Sequence, residues 1–337
     1  MTIPVYFDPV QRRHAPAVEL HNGGFVAYAE SVSRADDIVA ALGPALPATD
    51  FGMAPLLAVH SAEYLEFLQT AHADWLAAGR TGDAIPYVFP IVGRRPLKLD
   101  RIDARLGRFA MDMGTPIAAG TWAAAYAGAQ VALSALQPLL AGTAATCFAL
   151  CRPPGHHAGA DYCGGYCYLN NAAIAAEAAI SAGRRVAILD IDYHHGNGTQ
   201  DLFWTRANPL FVSLHADPAT DYPFYWGHAD ELGEGDGKGA TLNLPLPQGT
   251  KLSAYRAALA EALARIAAFA PDLLVISFGA DTFAGDPISH FALQTGDFTV
   301  LARDIAALGL PSLIIMEGGY AVSQLGSNVA AFLAGFR

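Results

Sequence analysis

The chain has 337 residues, of which 53% are hydrophobic and 15% charged, and a formal net charge of −11. This composition excludes wholesale disorder, and the acidic balance excludes nucleic-acid binding through a basic surface that neutralises phosphates. Alanine-rich stretches such as Ala123–Ala135 are broken by Gln, Ser and Gly, so no apolar run reaches the roughly 18 residues a membrane span needs.

The opening MTIPVYFDPVQRRH lacks the basic-then-apolar layout of a secretory signal, and a cytoplasmic location is the expectation. Large α/β sheets reach this length as one unit, so residues 1–337 are expected to form one domain. In chain order, short apolar runs predict strands at Val5–Phe7, Thr146–Leu150, Val186–Ile191, Leu210–Leu214, Leu273–Phe278 and Ser312–Met316. Helical patterns lie between them near Thr121–Leu140, Asn171–Ala182, Ala254–Phe269 and Phe298–Leu308. Such alternation, with strands apolar throughout, predicts an α/β fold: a mainly parallel central sheet with helices on both faces. The segment Gly79–Met113 stands apart, with Gly, Pro and scattered charge and no periodicity before Arg101; it is expected to be a functional or interaction loop. Cys147, Cys151, Cys163 and Cys167 sit in apolar or glycine-rich surroundings, which suits buried reduced thiols better than a zinc ribbon.

Polar residues collect after the predicted strands, where parallel sheets bind their ligands. CRPPGHH follows the Thr146 strand, DYHHGNG the Val186 strand, HADP the Leu210 strand, GAD the Leu273 strand and EGGY the last one. In Asp190-Ile-Asp192-Tyr-His194, alternation along an extended chain turns residues 190, 192 and 194 to one side. Asp192 and His194 can then offer oxygen and nitrogen to one cation, with Asp281 arriving from another strand end. Three such ligands leave a coordination position open, which is the pattern of a catalytic metal site. His156 and His157 supply adjacent imidazoles on a stiff turn, suited to moving protons near neutral pH. In EGGY, the glycines permit close backbone approach and the Tyr320 hydroxyl can donate to a developing oxyanion.

These motifs together resemble the histone deacetylase superfamily: RPPGHHAG, GGYCYLNNAAIAA, ILDIDYHHGNGTQDLF, SLHADP, FGADTF, DPIS and EGGY occur across most of the chain. AAGRTGDAIPYVFP, YPFYWGHADELGEG and ADTFAGDPIS are similar to its branch of bacterial acetylpolyamine amidohydrolases. The resemblance implies an arginase-like three-layer fold and one zinc ion on Asp192, His194 and Asp281. It implies catalytic roles for His156, His157 and Tyr320, with Asp190 pairing to His156 and Asn197 beside His157. A structural potassium ion is implied at Asp190, Asp192, His194, Ser213 and Leu214. Tyr166 and Tyr222 fall where the acyl-amine channel is lined, and Glu19 and Asp103 where the branch carries acids for a cationic substrate. Gly114 stands where a further acid would be expected. The two-metal arginase branch would need acids where this chain has Gly196 and Phe283, so one metal is expected. The expected activity is removal of an acetyl group from acetylated polyamines or similar small cationic acyl-amines. The alternatives are a broader deacetylase of acetyl-lysine peptides and a silent binding module on the same fold. The loop Gly79–Arg95 is expected to pack a homodimer and narrow the channel.

Overall fold

A computed structural model describes residues 3–91 and 97–337. Along the chain, β1 (Val5–Tyr6) is followed by an antiparallel hairpin, β2 (Val18–His21) and β3 (Gly24–Ala27). Next come α1 (Ser33–Leu42), α2 (Ala54–Leu57), α3 (Ala62–Ala77), α4 (Ile102–Arg108), α5 (Thr121–Leu140), β4 (Thr146–Ala149), α6 (Asn171–Ser181) and β5 (Val186–Asp190). The chain continues with α7 (Asn197–Phe203), β6 (Leu210–Ala216), β7 (Thr241–Leu246), α8 (Leu252–Phe269), β8 (Leu273–Phe278), α9 (Thr295–Ala306), β9 (Ser312–Met316) and α10 (Val322–Ala334).

Seven strands form one sheet in the order β1-β4-β9-β8-β5-β6-β7, every pairing parallel. The period-two alternation of a strand explains the two cores. Ala187, Leu189, Ile276 and Ile314 join the core under α1, α8, α9 and α10, while Val186, Ile188, Val275 and Ile315 join the core under α5 and α6. A third cluster packs α3 and α4 onto the outside of α5 and α6. Local signals start several helices: Ser61 and Asn170 accept from the N–H two or three residues inside α3 and α6, and Gln294 with Asp297 closes a capping box on α9.

The expected parallel sheet with helices on both faces is present. Several details differ. β7 and the β2–β3 hairpin were not among the expected strands. The strand expected at Val186–Ile191 ends at Asp190, so residues 191–194 leave the ladder in a bend. Simple strand alternation therefore does not bring Asp192 and His194 together; the bend does. The segment expected as loop across Gly79–Met113 contains α4, whose Ile102 and Leu106 are buried in the third cluster.

Candidate active site

The C-terminal ends of β4, β5, β8 and β9 converge on a cavity of about 340 Å³ whose wall includes Glu19, Asp112, His157, Tyr166, Tyr222 and Tyr320. At its base, ligating atoms of Asp192, His194 and Asp281 lie within 4.8 Å of one another. His194 Nδ1 stands 3.3 Å from Asp192 Oδ1 and 3.2 Å from Asp281 Oδ2. Backbone N–H groups aim the acids: Gly318 donates to Asp192 Oδ2 (2.8 Å) and Tyr193 to Asp281 Oδ1 (3.0 Å). Burial pushes both carboxyls up. For Asp192 the His156 and His194 charges override it and hold the group well below the usual carboxylate range. Asp281 also faces the Asp192 charge and is pushed up to about 8. Two dry carboxylates sharing one site cannot both ionise without a cation, and an imidazole nitrogen completes a donor set of the kind zinc takes. The residues fit one divalent ion.

Beside them, the two histidines divide the charge. His156 Nδ1 is 2.9 Å from Asp190 Oδ2, fully buried. Burial acts to lower this imidazole, but the Asp190 and Asp192 charges and the Asp190 hydrogen bond overcome it and raise it to about 10. His157 is lowered well below its ordinary value, by burial first and then by the His156 and His194 charges. Its Nδ1 lies 2.6 Å from Asn197 Oδ1, which assigns the proton to Nδ1 and leaves Nε2 as the acceptor. Across the cavity, the Tyr320 hydroxyl takes no partner among the described residues. Asp286 holds that turn by accepting the N–H groups of Tyr320 (2.6 Å) and Ala321 (3.2 Å), and the Arg34 guanidinium lies 4.9 Å from the ring centroid.

The walls are placed by backbone geometry. Gly165 and Tyr166 are both left-handed, at φ 53° and 67°, a conformation that only glycine adopts freely. A Cβ on Gly165 would also sit 2.1 Å from His157 Cδ2. The Tyr166 hydroxyl donates to Glu19 Oε1 (3.0 Å), and Tyr222 donates to Asp112 Oδ2 (2.8 Å). Burial raises the Glu19 carboxyl. Asp190 and Ser213 are register partners on β5 and β6, although the Ser213 hydroxyl lies 2.8 Å from His215 Nδ1.

Most of the expected site residues are thus gathered in one place. Asp103 is not. It sits on α4, paired with Arg80 (2.7 Å) and Arg101 (2.8 Å), and lines a separate surface hollow away from the cavity. The HADP strand end likewise turns inward, with His215 bonded to the Gly227 carbonyl (2.8 Å). All four cysteines are free and buried. Sequence reasoning missed Asp112, Glu317 and the buried Arg34–Glu30–Arg152 cluster. In that cluster Glu30 bridges Arg34 (2.6 Å) and Arg152 (2.9 Å), and Arg34 donates to the carbonyls of Glu317 and Gly319, each at 2.6 Å. Glu317 is visible in EGGY, but nothing in a one-dimensional pattern says that its side chain turns back toward another loop.

Residues 27–336 match the histone deacetylase domain. Over 99% of its length the chain is 50% identical to acetylpolyamine amidohydrolase 1 of Pseudomonas aeruginosa, covering 98% of that protein. It is 43% identical to the acetylpolyamine amidohydrolase of Mycoplana ramosa, covering 98% of each. Among solved structures, the acetylpolyamine aminohydrolase of Burkholderia pseudomallei superposes with a TM-score of 0.95 at 42% identity, covering 99% of this chain and 98% of that one. The HDA15 HD domain superposes at 0.80 with 29% identity, covering 98% of this chain and 89% of that one.

Proposed function

This chain belongs to the histone deacetylase family, and from that footing we propose that it is a zinc-dependent amidohydrolase releasing acetate from acetylated polyamines or similar small cationic acyl-amines. The observation that carries the chemistry is the convergence of Asp192, His194 and Asp281 at the base of a cavity shared with His157 and Tyr320. When bound there, zinc polarises the amide carbonyl and makes water a competent nucleophile near neutral pH. His157, neutral and held by Asn197, takes the proton from the attacking water on Nε2 and returns it to the leaving amine. Tyr320 donates its hydroxyl to the developing oxyanion from the opposite side. His156, charged beside Asp190, contributes a fixed positive field without leaving its partner. The C–N bond breaks as the amine is protonated, giving acetate and a primary amine.

Substrate choice follows from the walls. Tyr166 and Tyr222 offer aromatic faces to a slender methylene chain, and Glu19 and Asp112 give the cavity negative charge for a distant ammonium. The names of the relatives in two genera support the same substrate class. Comparing kcat/KM for acetylputrescine, acetylcadaverine, acetylspermidine and an acetyl-lysine peptide tests it. Preference for the free acylated amines is expected; equal or better turnover of the peptide contradicts it and favours the broader deacetylase.

A homodimer is part of this reading. Tyr87, Val88 and Ile91 are exposed apolar side chains within the expected dimer segment Gly79–Arg95, and Leu97 and Leu99 are exposed just beyond it. Light scattering tests it, a monomer being the contrary result. Potassium is proposed near Asp190, Asp192, His194, Ser213 and Leu214, where a monovalent cation would offset buried carboxylates; thermal stability that is identical in potassium and in a bulky organic cation contradicts it. The buried free thiols suit a reducing cytoplasm, and no helix among the described residues is long and apolar enough to cross a membrane.

A further inference from the structure

We propose that Glu317 is a positioning residue for the tandem histidines, the reach of its side chain setting where the His157 imidazole stands against the metal-ligating cluster. The inference rests on the reading of His157 as the proton carrier. The segment from Arg152 to His157 leaves β4 without regular structure, so its buried backbone N–H groups need partners from elsewhere. Glu317 supplies them. Its Oε2 accepts from Gly155 N–H at 2.7 Å and from His156 N–H at 3.2 Å, while Oε1 accepts from the Ser277 hydroxyl at 3.1 Å.

Ser277 is the next-to-last residue of β8, Gly155 and His156 lie on the turn that follows β4, these two strands flank β9, and Glu317 follows β9. One carboxyl therefore ties three adjacent strand ends together. The main chain of the same residue is equally committed: its N–H donates to the Phe278 carbonyl (2.8 Å), its carbonyl accepts from Arg34 (2.6 Å), and the next N–H, of Gly318, donates to Asp192 (2.8 Å). The histidine turn and the metal-ligating cluster are both registered on this one position.

An acid is a costly choice here. Glu317 is fully buried and forms no ion pair with Arg or Lys among the described residues; burial pushes its carboxyl up to about 7. An apolar side chain of the same volume would fill the space without that penalty, but it could not accept three hydrogen bonds. The turn it holds carries the proposed proton carrier, a group whose misplacement by about 1 Å can cost roughly 10²-fold in rate.

Two conservative variants separate reach from charge. Glu317→Gln keeps the length: its amide oxygen can accept both N–H groups and its NH₂ can donate to Ser277, so kcat is expected within about three-fold of wild type. Glu317→Asp keeps the charge but draws the carboxyl back by roughly 1.5 Å. Its kcat is expected to fall about 10- to 100-fold with KM little changed and zinc stoichiometric, as for a displaced catalytic group. Wild-type kcat in Glu317→Asp overturns the proposal, as does a loss of zinc in that variant, because the effect would then run through the metal site. So does a Glu317→Gln enzyme with kcat reduced 30-fold or more, a result readable even if Glu317→Asp does not fold. His157→Ala tests the underlying reading by itself: wild-type turnover in that variant removes the proton carrier, whatever Glu317 does.

Discussion

Replacing Asn197 with Asp places a negative charge against the His157 imidazole, the proposed proton acceptor. In the native site the His157 Nδ1 to Asn197 Oδ1 distance is 2.6 Å, and the ring is lowered well below its ordinary value. At an effective dielectric near 20, a carboxylate some 4 Å from the imidazolium centre contributes about 4 kcal/mol of attraction. Desolvating the new carboxylate consumes much of this, leaving about 1.4 to 3 kcal/mol, or roughly 1 to 2 pKa units. The base works only when neutral. Raising its pKa therefore moves the acidic limb of the kcat/KM profile to higher pH, by the same 1 to 2 units. The assay is the pH dependence of kcat/KM on an acetylated diamine for both enzymes, each fully loaded with zinc. An acidic limb in Asn197→Asp that coincides with wild type would refute the assignment of His157 as the base.

Tyr320→Phe is expected to lower kcat about 10²- to 10³-fold, as loss of one oxyanion donor does, while elemental analysis finds zinc retained; turnover at the wild-type rate removes the donor role. Gly318→Ala is expected to abolish stoichiometric zinc, because a Cβ there would lie 2.5 Å from Asp281 Oδ2 and 2.6 Å from Asp192 Oδ2. A fully metallated, active Gly318→Ala enzyme contradicts the placement of those two carboxylates. The stability of the fold is expected to fall between about pH 6.5 and 4 through His60. Burial lowers its imidazole to about 4, with Nδ1 donating to the Gly159 carbonyl (2.8 Å) and Nε2 accepting from Asn170 N–H (3.0 Å). The unfolded chain binds this proton first, so stability is present above the unfolded value and lost as pH falls through the folded one, by about 3 kcal/mol at most. Urea denaturation of wild type and His60→Gln across that range checks it; parallel slopes contradict it.

The parallel sheet was legible because β4, β5, β8 and β9 are almost entirely buried and read as mainly apolar runs. β7 was not, since Asn243 and Pro245 interrupt it; an edge strand tolerates both, because one of its sides carries no ladder. The β2–β3 hairpin had a readable signal in Asn22-Gly23, both left-handed in the structure and flanked by VELH and GFVA. The helices α1, α3 and α10 also went unmarked. At the site, the Asp192, His194 and Asp281 trio and the histidine pair, which the structure gathers at one cavity, were readable from residue type and strand-end position. The polar groups that aim them were not. Arg34 and Glu317 are 283 residues apart, and their 2.6 Å contact leaves no local trace in sequence. Asp103 shows the converse: the resemblance implied a channel acid there, while Arg80 and Arg101 pair with it at a separate surface hollow.

The most direct measurement is anomalous diffraction at the zinc edge from crystals of the native protein. A single peak about 2.0–2.2 Å from Asp192, His194 and Asp281 together, facing the cavity that holds His157 and Tyr320, is the predicted result. A peak coordinated by other residues, or none between these three in zinc-replete and active protein, contradicts the account.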